Sequence, residues 1–210
     1  GWEMIQSLSS GLIEYKPGAT TGGVSDIVPA LATSWSSSAD NKSWTFVLRH
    51  NVTFEDGREF NATDVKYTID RGIDLNDPDG AFGGLGYSAV IKNITVNSKY
   101  SVTFNLKTPY GPFLQFMTMQ CNYMVDRKHA PATAVVEYVE GDARASYPGG
   151  LGPYLLENWV RTAGRDVQLI LKANPNYWNA SGGYPKEARI MIKMYADATG
   201  LDFAITSGQV

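Results

Sequence analysis

Alternating apolar and polar side chains mark several short β-strands along the chain. The clearest alternation runs from Trp44 to Arg49, where large apolar residues take every second position. Two further alternating runs flank Asn97-Ser98-Lys99, and similar patterns lie at 167–171 and 190–194. A period of two is typical of strands with one buried face, and the short polar break at 97–99 predicts a hairpin.

The period changes to that of a helix after Phe60. Asn61 can accept a hydrogen bond from the first turn, and Asp64 stands three residues on, which together predict a capping box. Spacings of three and four residues then define one face of this helix. The predicted buried face consists of Val65, Thr68, Ile69 and Gly72.

Two more helices are predicted farther along the chain. One buries a stripe made of Phe113, Phe116 and Met117. The other begins after Asp197, a suitable N-cap, and its predicted inner face consists of Leu201, Ala204 and Ile205. Short antiparallel strands mixed with a few helices indicate an α+β (mixed α/β) fold.

Composition narrows the class of protein. The 210 residues are 43% hydrophobic and 12% aromatic, enough for a folded core. The net charge is −3, and no basic stripe interleaves with aromatic residues, so no nucleic acid partner is expected. No apolar run approaches the roughly 20 residues of a membrane-spanning helix, and no signal-peptide pattern is found.

Residues that carry catalysis or bind metal are scarce. Two histidines, His50 and His129, and one cysteine, Cys121, leave little for a zinc site. Neither histidine has an evident carboxylate partner, and no Gly-x-Ser-x-Gly motif occurs, so a hydrolase is not favoured. The acidic stretch 74–85 departs from a calcium loop, because Leu85 stands where the twelfth-position glutamate belongs. We therefore expect a protein that is not an enzyme and has no metal or cofactor.

Asn-x-Ser/Thr tripeptides are more frequent than chance predicts. Random placement of 12 asparagines and 30 serines and threonines in 210 residues predicts about two such sequons. The chain has five, at Asn41, Asn51, Asn61, Asn93 and Asn179. The excess indicates either a glycosylated outer surface or a set of polar turns.

A series of motifs then identifies a family. The first group is Leu31-Ala32-x-Ser34-Trp35, Asp40, Trp44-Thr45-Phe46-x-Leu48-Arg49 and Val52-x-Phe54-x-Asp56-Gly57-x-x-Phe60-x-Ala62-x-Asp64-Val65. The second group is Leu106-Lys107-x-Pro109, Gly150-x-Gly152-Pro153-Tyr154, Asn174-Pro175-x-Tyr177-Trp178 and Asp197-Ala198. In this order and spacing the chain resembles the extracytoplasmic solute-binding proteins of ABC importers for dipeptides, oligopeptides and nickel, known as family 5.

The resemblance implies the architecture and the biology. Residues 1–35 and 149–210 would form the core of the first lobe of a type II periplasmic-binding-protein fold. Residues 36–148 would form an inserted extra subdomain, and the second lobe would lie outside this sequence. The implied function is the capture of di- or oligopeptides outside the membrane and their delivery to an ABC permease. A nickel chelate, an oligosaccharide, or a sensor or adhesion role remain as alternatives, and a homodimer of this fragment is considered.

Four residues are predicted to contact ligand. Trp2 lies where family members bring first-lobe backbone to the ligand, and Tyr87 lies in the loop 81–89, whose glycines and aromatic residues are typical of a binding loop. Asn122 and Tyr123 fall in a segment that lines the cleft of nickel-chelate relatives. The basic residue that some of those relatives carry there is not apparent, which argues against a metal chelate.

Overall fold

The computed structural model describes residues 7–75, 86–134, 139–142, 147 and 149–208. Its strands are β1 (Ile13–Tyr15), β2 (Ile27–Pro29), β3 (Ala32–Ser37), β4 (Ser43–Leu48), β5 (Ile91–Ser98), β6 (Ser101–Leu106), β7 (Tyr154–Thr162), β8 (Arg165–Ala173) and β9 (Arg189–Lys193). Its helices are α1 (Ala62–Leu75), α2 (Tyr87–Val90), α3 (Phe113–Met117) and α4 (Ala198–Thr206). Short 3₁₀ turns lie at Val24–Asp26, Gln120–Asn122 and Ala180–Gly182.

The strands pair into three antiparallel sheets. β1 pairs with β2, the order β3-β4-β6-β5 forms a four-stranded sheet, and β7-β8-β9 forms a three-stranded sheet. The predicted strands, the hairpin and the α+β class are confirmed. Among the described residues, no helix is both long enough and apolar enough to cross a membrane.

The larger hydrophobic core lies on the inner face of the four-stranded sheet. Phe46 and Phe104 meet edge to face with ring centroids 5.5 Å apart, and both are fully buried. The stripe predicted on α3 is buried against this core. Edge-to-face packing suits aromatic rings because the positive edge of one ring meets the negative face of the other.

Helix α1 begins as its sequence predicts. The Thr63 amide donates to Asn61 Oδ1 at 2.9 Å, and the Asn61 amide donates to Asp64 Oδ2 at 3.0 Å. This reciprocal pair satisfies two amides that the first turn of a helix leaves without partners. The predicted buried face of α1 is confirmed in full.

Helix α4 corrects one prediction. Asp197 caps it, accepting from the Gly200 amide at 2.8 Å, as expected. Of its predicted inner face only Ala204 is buried, whereas Leu201 is 41% and Ile205 is 56% exposed. Only the side of the helix at Ala204 packs on the rest of the described chain, so the apolar spacing overstates how much of α4 is inside.

Candidate functional site

The segment Leu8–Ile13 is held between two parts of the chain that are distant in sequence. Ser9 Oγ donates to the Met124 carbonyl at 2.7 Å, and the Met124 amide donates to the Ser10 carbonyl at 3.0 Å. On the other side, Ser10 Oγ donates to the Leu151 carbonyl at 3.2 Å. Because both serines are buried, these bonds fix the position of the segment.

Gly152 explains the Gly-x-Gly-Pro motif on this side. A Cβ at position 152 would lie 2.5 Å from both the Leu8 carbonyl carbon and the Ser9 nitrogen. The Asn174 side chain donates through Nδ2 to the Gly152 carbonyl at 2.8 Å. The motif is therefore a packing joint between backbones, where only glycine fits.

Two tyrosines lie near Glu14 on β1, and a third lies near one of them. We define the tyrosine cluster as Tyr123, Tyr147 and Tyr177. Burial and, to a lesser extent, the nearby negative charge of Glu14 raise the pKa of Tyr123 to about 12. Burial and Glu14 also raise the pKa of Tyr177, and burial and Tyr123 raise that of Tyr147. The three phenols therefore stay neutral at physiological pH and can both donate and accept hydrogen bonds.

The hydroxyls of the tyrosine cluster have no hydrogen-bond partner within the described residues. Four other tyrosines differ in this respect, with their hydroxyls bonded to the chain: Tyr15 to Gly22, Tyr67 to Ala130, Tyr87 to Cys121 and Tyr100 to Glu59. Partly buried polar groups normally find a partner in protein or water. Within the described residues these three hydroxyls, like those of Tyr110, Tyr154, Tyr184 and Tyr195, are therefore available to a polar ligand.

Charged groups of both signs lie beside the tyrosine cluster. Burial raises the pKa of the Glu14 carboxyl, and the positive charge of Arg49 opposes that shift. The Arg49 guanidinium lies 4.3 Å from the centre of the Trp178 ring, and its Nε donates to the Ala30 carbonyl. A carboxylate and a guanidinium among neutral phenols could hold a ligand that carries both charges.

A small cavity lies beside one member of the cluster. The cavity beside Tyr147 measures about 10 Å³, which is room for at most one water molecule. Two larger depressions, of about 250 Å³ along α1 and about 590 Å³ at the ends of β8 and β9, have no residue of the cluster in their walls. None of these three cavities could hold a peptide against the cluster.

The structure places Tyr87 inside the fold. Its side chain is fully buried, its ring centroid lies 4.0 Å from that of Phe116, and its hydroxyl lies 3.0 Å from the Cys121 sulfur. Tyr87 is therefore part of the core, and its contact with a ligand stays a prediction. The glycine-rich part of that loop, residues 81–85, and Trp2 lie outside the described residues.

Asn122 and Tyr123 are neighbours in sequence but have different surroundings. Asn122 is fully buried, and its Nδ2 donates to the Phe116 carbonyl at 2.6 Å. The Asn122 side chain also faces the Tyr87 hydroxyl, so these two predicted residues are brought together inside the core. Tyr123 is half-buried, with its ring against Gly11, and belongs to the tyrosine cluster.

Sequence reasoning missed Glu14, Tyr147 and the functional potential of Tyr177. Tyr177 lies in the Asn-Pro-x-Tyr-Trp motif, which identifies the family but predicts no ligand contact. Glu14 and Tyr147 belong to no motif, and only the folded chain brings them near Tyr123. The one available signal was the high number of tyrosines, 12 in 210 residues.

A second polar group ties α1 to the segment that follows the 3₁₀ turn at 120–122. Buried Asp64 accepts from Arg58 and Arg127 at 2.8 Å each, and Arg58 also donates to Asp126 at 2.7 Å. His129 Nδ1 lies 2.9 Å from Asp126 Oδ2, so the expectation that neither histidine has a carboxylate partner is wrong.

The spacing of Asp56, Asp126 and His129 would allow a metal ion, since their ligand atoms lie within 4.8 Å of one another. The charges around them oppose this. Asp126 is already paired with Arg58, and Lys128 Nζ lies 3.2 Å from Asp56. Arg58 and Lys128 therefore supply the positive charge that a metal ion would bring, and the group is a salt-bridge network.

Comparison with known proteins supplies the family. Residues 26–210 match the family described as "Bacterial extracellular solute-binding proteins, family 5 Middle". The chain belongs to this family. The fold is accordingly that of the periplasmic-binding-protein-like proteins of family 5, as the resemblance implied.

Individual relatives agree with this assignment. Di/tripeptide-binding protein 2 of Pseudomonas aeruginosa is 31% identical over 185 residues, which cover 81% of this chain and 33% of that protein. The periplasmic binding protein DppA of Helicobacter pylori, solved with the peptide STSA, is 28% identical with a TM-score of 0.75, covering 97% of this chain and 40% of that one. NikA of Brucella suis, solved with Fe(III)-EDTA, has a TM-score of 0.78 at 24% identity. The match covers 100% of this chain and 38% of that one.

The chain spans about a third to two fifths of the length of these relatives. The relatives have the names of solute-binding proteins and not of enzymes. They give no support to a homodimer.

Proposed function

We propose that this chain is part of the solute-binding component of an ABC importer and that its cargo is a short peptide. Within the proposal, the protein works outside the cytoplasmic membrane and delivers its ligand to a membrane permease. Relatives that are named for di- and tripeptides support the peptide class.

The observation that carries the proposal is the tyrosine cluster beside Glu14. A short peptide presents amide groups along its length and a charge at each end. Three unpaired phenol hydroxyls can bond peptide amides, and Glu14 and Arg49 offer one partner for each terminal charge. Nothing in this set of groups resembles a nucleophile with its base, and a binding role accounts for all of them.

The proposal includes a division of the chain. Residues before β3 and from 149 to 210 would form the core of the first lobe, with the extra subdomain between them. The boundary expected at residue 35 falls inside β3, and β3 pairs with β4 along its length. We therefore set the first boundary before Ala32 and retain the second near 148.

Replacement of Tyr123 tests the proposal directly. We expect Tyr123→Phe in the protein expressed from its complete gene to bind trialanine about threefold to tenfold more weakly, because one net hydrogen bond is lost. Isothermal titration calorimetry would measure the affinity. Tyr100→Phe is the matched control, since its hydroxyl is already committed to Glu59.

Unchanged affinity in Tyr123→Phe, with tight binding by the unmodified protein, would remove the tyrosine cluster from the site. Titration with a nickel–histidine chelate in the same series tests the cargo class. Binding of the chelate without binding of trialanine or dialanine would contradict a peptide cargo.

A further inference from the structure

The outer face of the four-stranded sheet has an unusual composition. Strand register aligns its side chains in rows across the sheet. One row consists of Ser36, Thr45, Thr103 and Thr95, the next of Ser43, Asn105 and Asn93, and a third of Ser34, Val47, Ser101 and Ser98. None of these side chains carries a charge, whereas exposed surfaces of soluble proteins are normally a quarter or more charged residues.

Asn105 joins two of the sequons on this face. Its Nδ2 donates to Asn93 Oδ1 at 2.7 Å and to Thr95 Oγ1 at 3.1 Å. Its Oδ1 accepts from Ser43 Oγ at 3.0 Å. Asn93 and Thr95 form one sequon, and Ser43 is the hydroxyl residue of the sequon at Asn41.

These bonds leave Asn93 open for modification. Asn93 is exposed, its oxygen is held by Asn105, and its Nδ2 donates no hydrogen bond within the described residues. Nδ2 is the atom to which an N-linked sugar is attached. The network therefore fixes the amide with its reactive nitrogen unoccupied.

Asn41 and Asn51 are also accessible for modification, but for a different structural reason. Both are exposed turn residues with left-handed backbones, at φ 53° and 58°, and their side chains form no hydrogen bond in the described part of the chain. Asparagine is favoured at such φ values, so the turns account for its presence. They do not account for the hydroxyl residue two places on, Ser43 and Thr53.

The other two sequons are engaged with the chain. Asn61 caps α1 through Oδ1, and its Nδ2 lies 3.5 Å from the Glu59 carbonyl. Asn179 is half-buried, and its side chain crowds the backbone of Gly182 so closely that a Cβ there would lie 2.5 Å from Asn179 Oδ1. A sugar on either nitrogen would displace packed groups.

We propose that this sheet face is N-glycosylated, with glycans on Asn93, Asn41 and Asn51. The co-reactant is an oligosaccharide linked through phosphate to a lipid carrier. The amide nitrogen forms a bond to the anomeric carbon as the bond from that carbon to the phosphate oxygen breaks, and the amide proton leaves with the released phosphate. Neither oxidant nor reductant is needed.

Glycans at these positions would also protect the sheet. β5 is an edge strand in the order β3-β4-β6-β5, and Asn93 lies on it. Exposed edges can pair with other chains unless charges, bulges or a cover prevent it. A bulky, hydrated glycan on Asn93 would cover this edge. The three rows described on the outer face of the sheet contain no charged residue that could protect it instead.

Peptide mapping by mass spectrometry tests the proposal on protein isolated from the organism that encodes it. We expect sugar-bearing peptides at Asn93, Asn41 and Asn51 and unmodified peptides at Asn61 and Asn179. Asn97, exposed on the same strand, should also be unmodified, because Lys99 replaces the hydroxyl residue and its Nδ2 donates to Ser101 and Thr103. An unmodified Asn93, or glycans only at Asn61 or Asn179, would overturn the proposal.

Four substitutions separate glycosylation from chance modification. Thr95→Val should abolish the sugar on Asn93, Thr95→Ser should keep it, and Asn97→Gln should leave the mass of the glycan unchanged. Asn93→Gln should abolish the same sugar while Thr95 and its row of hydroxyl side chains stay unchanged. The assignment can therefore be tested even if Thr95→Val fails to fold. Retention of the full glycan mass in both Thr95→Val and Asn93→Gln would contradict the assignment. The outcome is independent of which solute the protein binds.

Discussion

At the scale of single residues, Gly152 shows how backbone packing dictates a residue type. The carbonyl carbon of Leu8 and the nitrogen of Ser9 occupy the place where a side chain would begin. Neither atom can move without disturbing the buried bonds of Ser9 and Ser10. The motif that identifies the family at this point therefore reports a close approach of two chain segments.

We expect Gly152→Ala to destabilise the fold by about 2–3 kcal/mol, the range for overpacking a site that cannot relax. Chemical denaturation would measure the loss. Gly111→Ala is the control: position 111 has no positive φ and nothing within 4 Å of an added Cβ, so a change within about 0.5 kcal/mol is expected there. Equal effects at the two positions would contradict the packing account.

Asp126 should make stability depend on acid pH. Burial alone would raise its pKa, but hydrogen bonds from Arg58, the Lys128 amide and His129 outweigh burial and lower the pKa to about 2. The unfolded value is about 3.9. Because the folded pKa is the lower one, the contribution is complete above about pH 4 and is lost as the pH falls toward 2.

Asp126→Asn should therefore cost roughly 1–3 kcal/mol at pH 7 and flatten the fall in stability between pH 4 and 2. Urea unfolding at pH 7, 4 and 3 would show both effects. Asp166→Asn serves for comparison, because Asp166 pairs with Arg161 at the surface and should contribute less than about 1 kcal/mol. If Asp126→Asn lost stability between pH 4 and 2 as steeply as the unmodified protein, Asp126 would not be the source of the acid sensitivity.

At the scale of elements, periodicity predicted what lies in one strand or helix but not what covers it. The spacing of α1 identified its buried face correctly, because that helix packs on β5 and β6 of the four-stranded sheet. The same spacing in α4 predicted three inner residues, and only Ala204 is inside. A periodic pattern defines an apolar face, and its burial depends on which neighbours reach it.

One substitution made in both helices measures this difference. Ile69 on α1 is fully buried and Ile205 on α4 is 56% exposed. We expect Ile69→Ala to destabilise the fold by about 2–5 kcal/mol, from lost burial and the cavity left behind. Ile205→Ala should change stability by no more than about 0.5 kcal/mol. Similar losses in the two variants, measured by urea unfolding, would show that the outer side of α4 is covered.

At the scale of the whole molecule, the family could be predicted from ordered motifs, but most of the candidate site could not. The motif residues pack the scaffold, and Tyr123 was predicted from the family alone. Glu14 and Tyr147 enter the site because Leu8–Ile13 is held against the segments at 122–124 and 149–152. Contacts between residues more than 100 positions apart leave no trace in a local pattern.

The same tertiary packing explains the burial of Tyr87. A tyrosine after a glycine-rich segment has the composition of a binding loop, and the sequence contains nothing to show that α3 would enclose it. Phe116 and Cys121 do so in the fold. The position of Tyr87 depended on a neighbour about 30 residues away.

A peptide titration tests the central claim most directly. The protein expressed from its complete gene and a fragment of residues 1–210 would each be titrated calorimetrically with a library of di- and tripeptides. In the proposed function the tyrosine cluster lines one wall of a two-lobed site, and the second lobe lies outside residues 1–210. We predict micromolar or tighter binding to the complete gene product and at least about 100-fold weaker binding to residues 1–210. Equal affinity for both, or no peptide bound by the complete gene product, would contradict the account.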